Sequence, residues 1–153
     1  RSGASVVMLE RHPLLFAMLK DAHERLATDD PSLAARVTLL HKDSTQLSQS
    51  AADTLELPRP DVVYLDPMYA PRTKAAKVKK DMQILHLLMK SSEDTPANTL
   101  IENDAALFDS AKSVQPKRIV VKRHINAPPL TNNMKVSGSV KGTTQRFDIY
   151  SLT

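Results

Sequence analysis

Cysteine is absent, and glycine occurs only three times, at Gly3, Gly138 and Gly142, with none in a Gly-x-Gly spacing. The first absence excludes disulfides and thiolate metal sites and favours a reducing, cytoplasmic setting. The second excludes a phosphate-gripping loop of the Gly-Lys-Ser/Thr type. The five histidines, His12, His23, His41, His86 and His124, have no short metal-ligand spacing, so no metal is expected. No Ser/His/Asp nucleophile signature is present. No apolar run approaches the roughly 20 residues of a membrane span and no signal peptide is visible, so a soluble chain is expected.

What is present is ordinary for a folding chain: 153 residues, 41% apolar and 25% charged, enough for one domain. The net charge of +4 is mild evidence for a polyanionic partner and is equally that of a soluble basic surface. Local clustering therefore decides more than the total.

Apolar runs and helical stripes alternate along the chain. Ser5 to Leu9 reads as a strand, and Pro13 to Ala27 as a covering helix with Leu15, Leu19, Ala22 and Leu26 on one face. Asp30-Pro31 opens a short helix, Val37 to Leu40 is a strand, and Ser44 to Asp53 is a helix leading to Asp61. Val62-Val63-Tyr64-Leu65 then reads as a central parallel strand covered on both faces. Helices follow from about Met82 to Lys90 and from Glu102 to Lys112, with a polar loop over Ser91 to Asn98. Lys117 to Lys122 is a further buried strand, and Met134 to Val140 with Arg146 to Ser151 is an antiparallel pair. The expectation is a mostly parallel α/β sheet finished by a hairpin, the arrangement of Rossmann-like methyltransferases.

Three of these strands carry acids to the same edge. Glu10-Arg11 ends one, Asp43-Ser44 follows another and Asp66 ends a third, at the position where open α/β sheets bind ligands. A carboxylate there accepts both hydroxyls of a ribose, Asp43 with Ser44 suits an adenine amine, and Asp66 lies nearer a transferable group. Each acid taken alone is equally a helix cap or a loop acid.

The tetrapeptide Asp66-Pro67-Met68-Tyr69 adds a reaction. An exocyclic amine on a base is a poor nucleophile, because its lone pair is delocalised into the ring. A carboxylate and a backbone carbonyl accepting its hydrogens localise that pair, and Pro67 biases Asp66 to an extended backbone before substrate arrives. Tyr69 is placed to stack on an extruded base. Downstream, Arg72, Lys74, Lys77, Lys79 and Lys80 put five cations into nine residues, suited to RNA phosphates or to a solvated helix start. Lys122, Arg123 and His124 extend this basic rim.

The segments Asp61 to Tyr69, Lys77 to Lys80, Val120 to Arg123, Ala127 to Leu130, Arg146 to Tyr150 and Met8 to Pro13, in that composition over nearly the whole chain, closely resemble the bacterial RsmJ family. The resemblance implies an S-adenosylmethionine-dependent methyltransferase acting on the N2 amine of one guanine in small-subunit (16S) ribosomal RNA. It implies cofactor contacts at Glu10, Arg11, Asp43, Ser44 and Asp66, with Asp43 standing where serine is expected. Family members carry a further N-terminal region with a strand and a glycine-rich loop near the methionine part of the cofactor. This chain begins at Arg1 without them. The expectation is an N-terminally shortened enzyme whose cofactor binding depends on the missing loop.

Two other functions stay open at this point. Related acid-Pro-x-aromatic motifs act on adenine N6 or glutamine N5, and the missing glycine loop is compatible with a basic RNA-binding module that keeps the fold without catalysis.

Overall fold

The computed structural model describes residues 3–67 and 97–152. The helix expected near Met82 to Lys90 lies outside the described residues, as do Met68, Tyr69, Arg72, Lys74, Lys77, Lys79 and Lys80. The chain divides into two compact units, Arg1–Arg59 with Asp109–Gln115, and Pro60–Phe108 with Pro116–Thr153.

In the first unit, β1 (Val6–Glu10) and β2 (Val37–His41) pair in parallel, with Val6 opposite Val37 and Glu10 opposite His41. Parallel neighbours need a crossover, supplied here by α1 (Pro13–Asp29) and α2 (Pro31–Ala34). Pro13 occupies the first helical turn, where its missing N–H leaves no bond unmade. Asp30 both ends α1 and starts α2: its N–H donates to the Leu26 carbonyl, and its carboxylate accepts from Ser32 Oγ at 2.8 Å and Leu33 N–H at 3.0 Å. The Ser32 bond, then the Leu33 bond, hold this carboxyl below its usual range.

The single helix expected from Ser44 to Asp53 is broken. A 3-10 turn, Ser44–Gln46, is followed by extended Leu47 and then by α3 (Gln49–Thr54). Short polar side chains cause the break by bonding the backbone locally. Asp43 takes the Thr45 N–H at 2.9 Å, and Ser48 takes the Ala51 N–H at 3.2 Å to open the new helix. α3 stops in a Schellman pattern, Glu56 N–H to the Asp53 carbonyl and Leu57 N–H to the Ala52 carbonyl, with Glu56 at φ 51°.

The second unit is a four-stranded sheet in the order β3-β4-β6-β5. β3 (Val62–Leu65) and β4 (Arg118–His124) are parallel, joined through α4 (Ala97–Ser113), while β5 (Gly138–Lys141) and β6 (Gln145–Ser151) form the antiparallel hairpin. Every second residue of β4 and β6 is buried on one face: Ile119, Val121 and Arg123 opposite Tyr150, Asp148 and Arg146. Phe108 meets Tyr150 edge-on at 4.9 Å, completing the apolar core of this unit. On the same face Arg146 and Asp148, two residues apart on β6, bond through Nε to Oδ1 at 2.8 Å and Nη2 to Oδ2 at 3.0 Å.

Most boundaries shift by a residue or two, and two shift further: α4 begins at Ala97 and not at Glu102, and β5 at Gly138 and not at Met134. β3 differs in kind. It is the edge strand of its sheet, with Val62 51% and Tyr64 52% exposed, and only Leu65 buried. Its four apolar residues resemble a doubly covered strand, yet among the described residues none pairs with its outer edge. No helix among the described residues is long and apolar enough to cross a membrane.

Candidate functional site

The first unit gathers the ends of β1 and β2. Their parallel register sets Glu10 beside His41, and the chain leaving each strand carries Arg11 and Asp43. Arg11 Nη1 lies 3.6 Å from Asp43 Oδ2, and His41 Nε2 donates to the Arg11 carbonyl at 3.1 Å while its ring stacks on Phe16 at 4.8 Å. Glu10 Oε1 accepts the His12 N–H at 2.7 Å, which fixes the carboxylate against the start of α1. Burial pushes the Asp43 carboxyl up, but the Thr45 N–H and hydroxyl and the Arg11 charge outweigh it and leave it below the usual range.

A cleft of about 370 Å³ opens beside this corner, lined by Leu9, Lys42, Asp43, Gln46 and Leu47, with Ala51, Thr54 and Leu55 of the α3 region. A mostly apolar wall with a few polar groups suits a small, largely apolar ligand that carries polar substituents. Ser44 begins the 3-10 turn at the cleft's edge. The wall at Leu47 is held by α4: the Ser110 hydroxyl is shared between the Ser44 and Leu47 carbonyls, at 2.5 and 2.7 Å, and the Ser113 hydroxyl between the Ser110 and Leu47 carbonyls, at 2.7 and 3.2 Å. Of this lining the sequence singles out Asp43 and passes over Gln46, Leu47 and Leu55, because the broken helix that places them has no local motif.

In the second unit, Asp66 and Pro67 follow the C-terminal end of β3. Asp66 Oδ2 accepts from Lys122 Nζ at 2.8 Å, with 44% of the Asp66 side chain and 24% of the Lys122 side chain exposed. Tyr64, two residues earlier on the same strand face, sits 6.4 Å from Phe147 between ring centroids. Burial and then the Asp66 charge push the Tyr64 hydroxyl above its usual value, with Lys122 opposing.

Arg123 departs from the expected basic rim. It is 7% exposed, donates to the Pro128 carbonyl at 3.0 Å and pairs with Asp104 Oδ2 at 3.2 Å. Burial pushes the Asp104 carboxyl up against the pull of this guanidinium. The reason is strand alternation: successive residues of β4 point to opposite faces, so Lys122 and Arg123 cannot share one rim. Among the described residues no group of three or more His, Asp or Glu is placed to hold a metal.

Parallel strands joined by crossover helices, an antiparallel hairpin at the end and acids at the carboxyl ends of strands define a Rossmann-like methyltransferase fold. Solved structures agree. The SAM-dependent methyltransferase of Neisseria gonorrhoeae matches with a TM-score of 0.67 at 26% identity, over 97% of this chain and 53% of that one. The rRNA methyltransferase aviRa from Streptomyces viridochromogenes shares the fold, with a TM-score of 0.52 at 14% identity over 96% of this chain and 66% of that one.

The chain belongs to the SAM_MT family, described as "Putative SAM-dependent methyltransferase", whose model matches residues 1–152. S-adenosylmethionine is the cofactor that this family and fold indicate. Among its relatives, the "Ribosomal RNA small subunit methyltransferase J" of Edwardsiella ictaluri is 41% identical over 152 residues, 97% of this chain and 55% of that protein. The protein of the same name from Thioalkalivibrio sulfidiphilus is 38% identical over 148 residues, 97% of this chain and 54% of that protein. The chain spans about half the length of the curated relatives it matches.

Proposed function

We propose that this chain carries the nucleoside-binding and amine-binding parts of an enzyme that methylates the exocyclic N2 amine of a guanine in 16S ribosomal RNA. The observation that carries the reading is Asp66-Pro67 at the carboxyl end of parallel strand β3, where a carboxylate is fixed by a 2.8 Å bond before any substrate arrives. The Methyltransferase J relatives support the ribosomal substrate.

The first unit fits the cofactor. The size and mixed lining of the cleft beside Asp43 support an adenine ring there, its amine met by Asp43 with Ser44, and ribose hydroxyls met by Glu10 with Arg11 at the neighbouring strand end. When bound, S-adenosylmethionine supplies an activated methyl group. Asp66 accepts a hydrogen of the guanine amine and so concentrates its lone pair on nitrogen, and Pro67 holds that acceptor's backbone extended. Met68 supplies a further carbonyl and Tyr69 a stacking face. Arg72, Lys74, Lys77, Lys79 and Lys80 meet RNA phosphates, so the partner is small-subunit RNA or the small ribosomal subunit and the setting is cytoplasmic. Arg123, committed to Asp104, takes no part in that phosphate binding.

The test is mass mapping of methyl groups on unmodified small-subunit RNA treated with the whole protein and S-adenosylmethionine. One methylated guanine, lost with Asp66→Ala, is the expected result. Methyl groups on adenine, or on a glutamine of a protein component, would overturn the guanine reading.

A further inference from the structure

We propose that Lys122 is a positioning residue for Asp66 and not an arm for RNA phosphates. The inference rests on the reading of Asp66 as the amine acceptor, and on three observations within the second unit. The first is distance: Lys122 Nζ donates to Asp66 Oδ2 at 2.8 Å.

The second is setting. Lys122 lies inside strand β4, directly opposite Phe147 of β6, on the face that carries Val120 and, from β3, Tyr64. Only 24% of its side chain is exposed, against 65% for Lys117, which lies just before β4. A lysine that reaches phosphates needs its ammonium in water on a free stem. The third is parity. β3 and β4 are in register up to Leu65 opposite Val121, and the residue after each, Asp66 just past β3 and Lys122 within β4, continues the parity of Tyr64 and Val120 into the 2.8 Å contact. The strand pairing itself therefore fixes the ion pair.

This assigns the two carboxylate oxygens. Oδ2 is held by the ammonium, and Oδ1 takes the substrate amine. Without the lysine the Asp66 side chain rotates freely about its terminal torsion, which is broad in carboxylates. The acceptor is then present but unaimed, and misplacement of a reacting group by about 1 Å costs on the order of a hundredfold in rate.

Kinetics of Lys122→Met, Lys122→Gln, Lys122→Arg, Asp66→Asn and the double variant K122M/D66N, made in the whole protein, test this. Lys122→Met and Lys122→Gln should each lower kcat roughly ten- to a hundredfold, with the KM for RNA and the salt dependence of RNA binding unchanged. Lys122→Arg should restore most of the rate, and the double variant should be no slower than Asp66→Asn alone. A raised KM and a flatter salt slope at normal kcat would make Lys122 a phosphate contact and overturn the proposal, as would unchanged kinetics. Thermal melts check folding; if Lys122→Met unfolds, Lys122→Gln and Lys122→Arg carry the comparison. A wild-type rate for Asp66→Ala, which removes every side-chain acceptor, would instead refute the amine-acceptor reading beneath it.

Discussion

Replacing Asp148 by Ala should destabilise the protein more than any exposed charge change. Asp148 is 2% exposed and takes two bonds from Arg146, at 2.8 and 3.0 Å, plus the Ser139 hydroxyl at 3.1 Å. Its removal leaves a buried guanidinium with the carbonyls of His124 and Ile125, at 3.0 and 2.8 Å. Breaking a buried pair from one side costs about 3–5 kcal/mol, and the surviving carbonyl bonds put the loss at the low end of that range, ~3 kcal/mol. In a chain of this size that is a drop in Tm of about 6–12 °C. Urea and thermal unfolding of Asp148→Ala read it directly, with the apolar double variant R146M/D148L as control. The double variant should recover most of the loss, because neither partner of the pair is then left as an uncompensated buried charge. A loss below about 1 kcal/mol in the single variant, or a double variant as unstable as the single, would refute this account of the pair.

Glu56→Gly should stabilise the first unit by about 0.5–1 kcal/mol, since Glu56 holds the left-handed φ of 51° that glycine adopts freely; an unchanged or lower urea midpoint argues against it. The Asp43 carboxyl is lowered on folding, so its contribution is complete above the unfolded value and fades as pH falls through the folded one. Asp43→Asn should therefore flatten the acid limb of the stability profile below about pH 4, and parallel limbs for the two proteins would exclude that contribution. Replacing Lys77, Lys79 and Lys80 by Gln should weaken RNA binding and reduce its logarithmic salt slope by roughly 0.7–0.9 for each phosphate no longer neutralised. An unaltered slope returns those lysines to a solvated surface.

The second unit is the more legible from sequence, because strands of period two announce themselves. Ile119-Val120-Val121 marks β4, and the same parity separates Lys122 from Arg123, a clue that a basic rim built from neighbouring residues overlooks. Asp104, the acid that draws Arg123 inward, sits 19 residues upstream on a helix, and no local pattern links the two. In the first unit, Asp30-Pro31 marks the α2 start through capping chemistry alone. The break at Leu47 is illegible because Asp43 and Ser48 are acceptable near helices, and their competition for backbone N–H groups is decided only by the folded turn. β3 misleads for a related reason: its apolar run specifies a strand, while its neighbours decide whether that strand is central.

The Ser110 and Ser113 bonds to the Leu47 carbonyl span 63 and 66 positions of sequence. Such a contact closes a long loop, so its ordering cost is met before the bond forms. During synthesis, which proceeds from the N-terminus, β1, β2 and the intervening helices exist well before the turn of α4 that braces the cleft wall. The cleft therefore matures only after the chain has been made past Ser113, and a nascent chain stalled short of that point has the strand ends without the finished pocket.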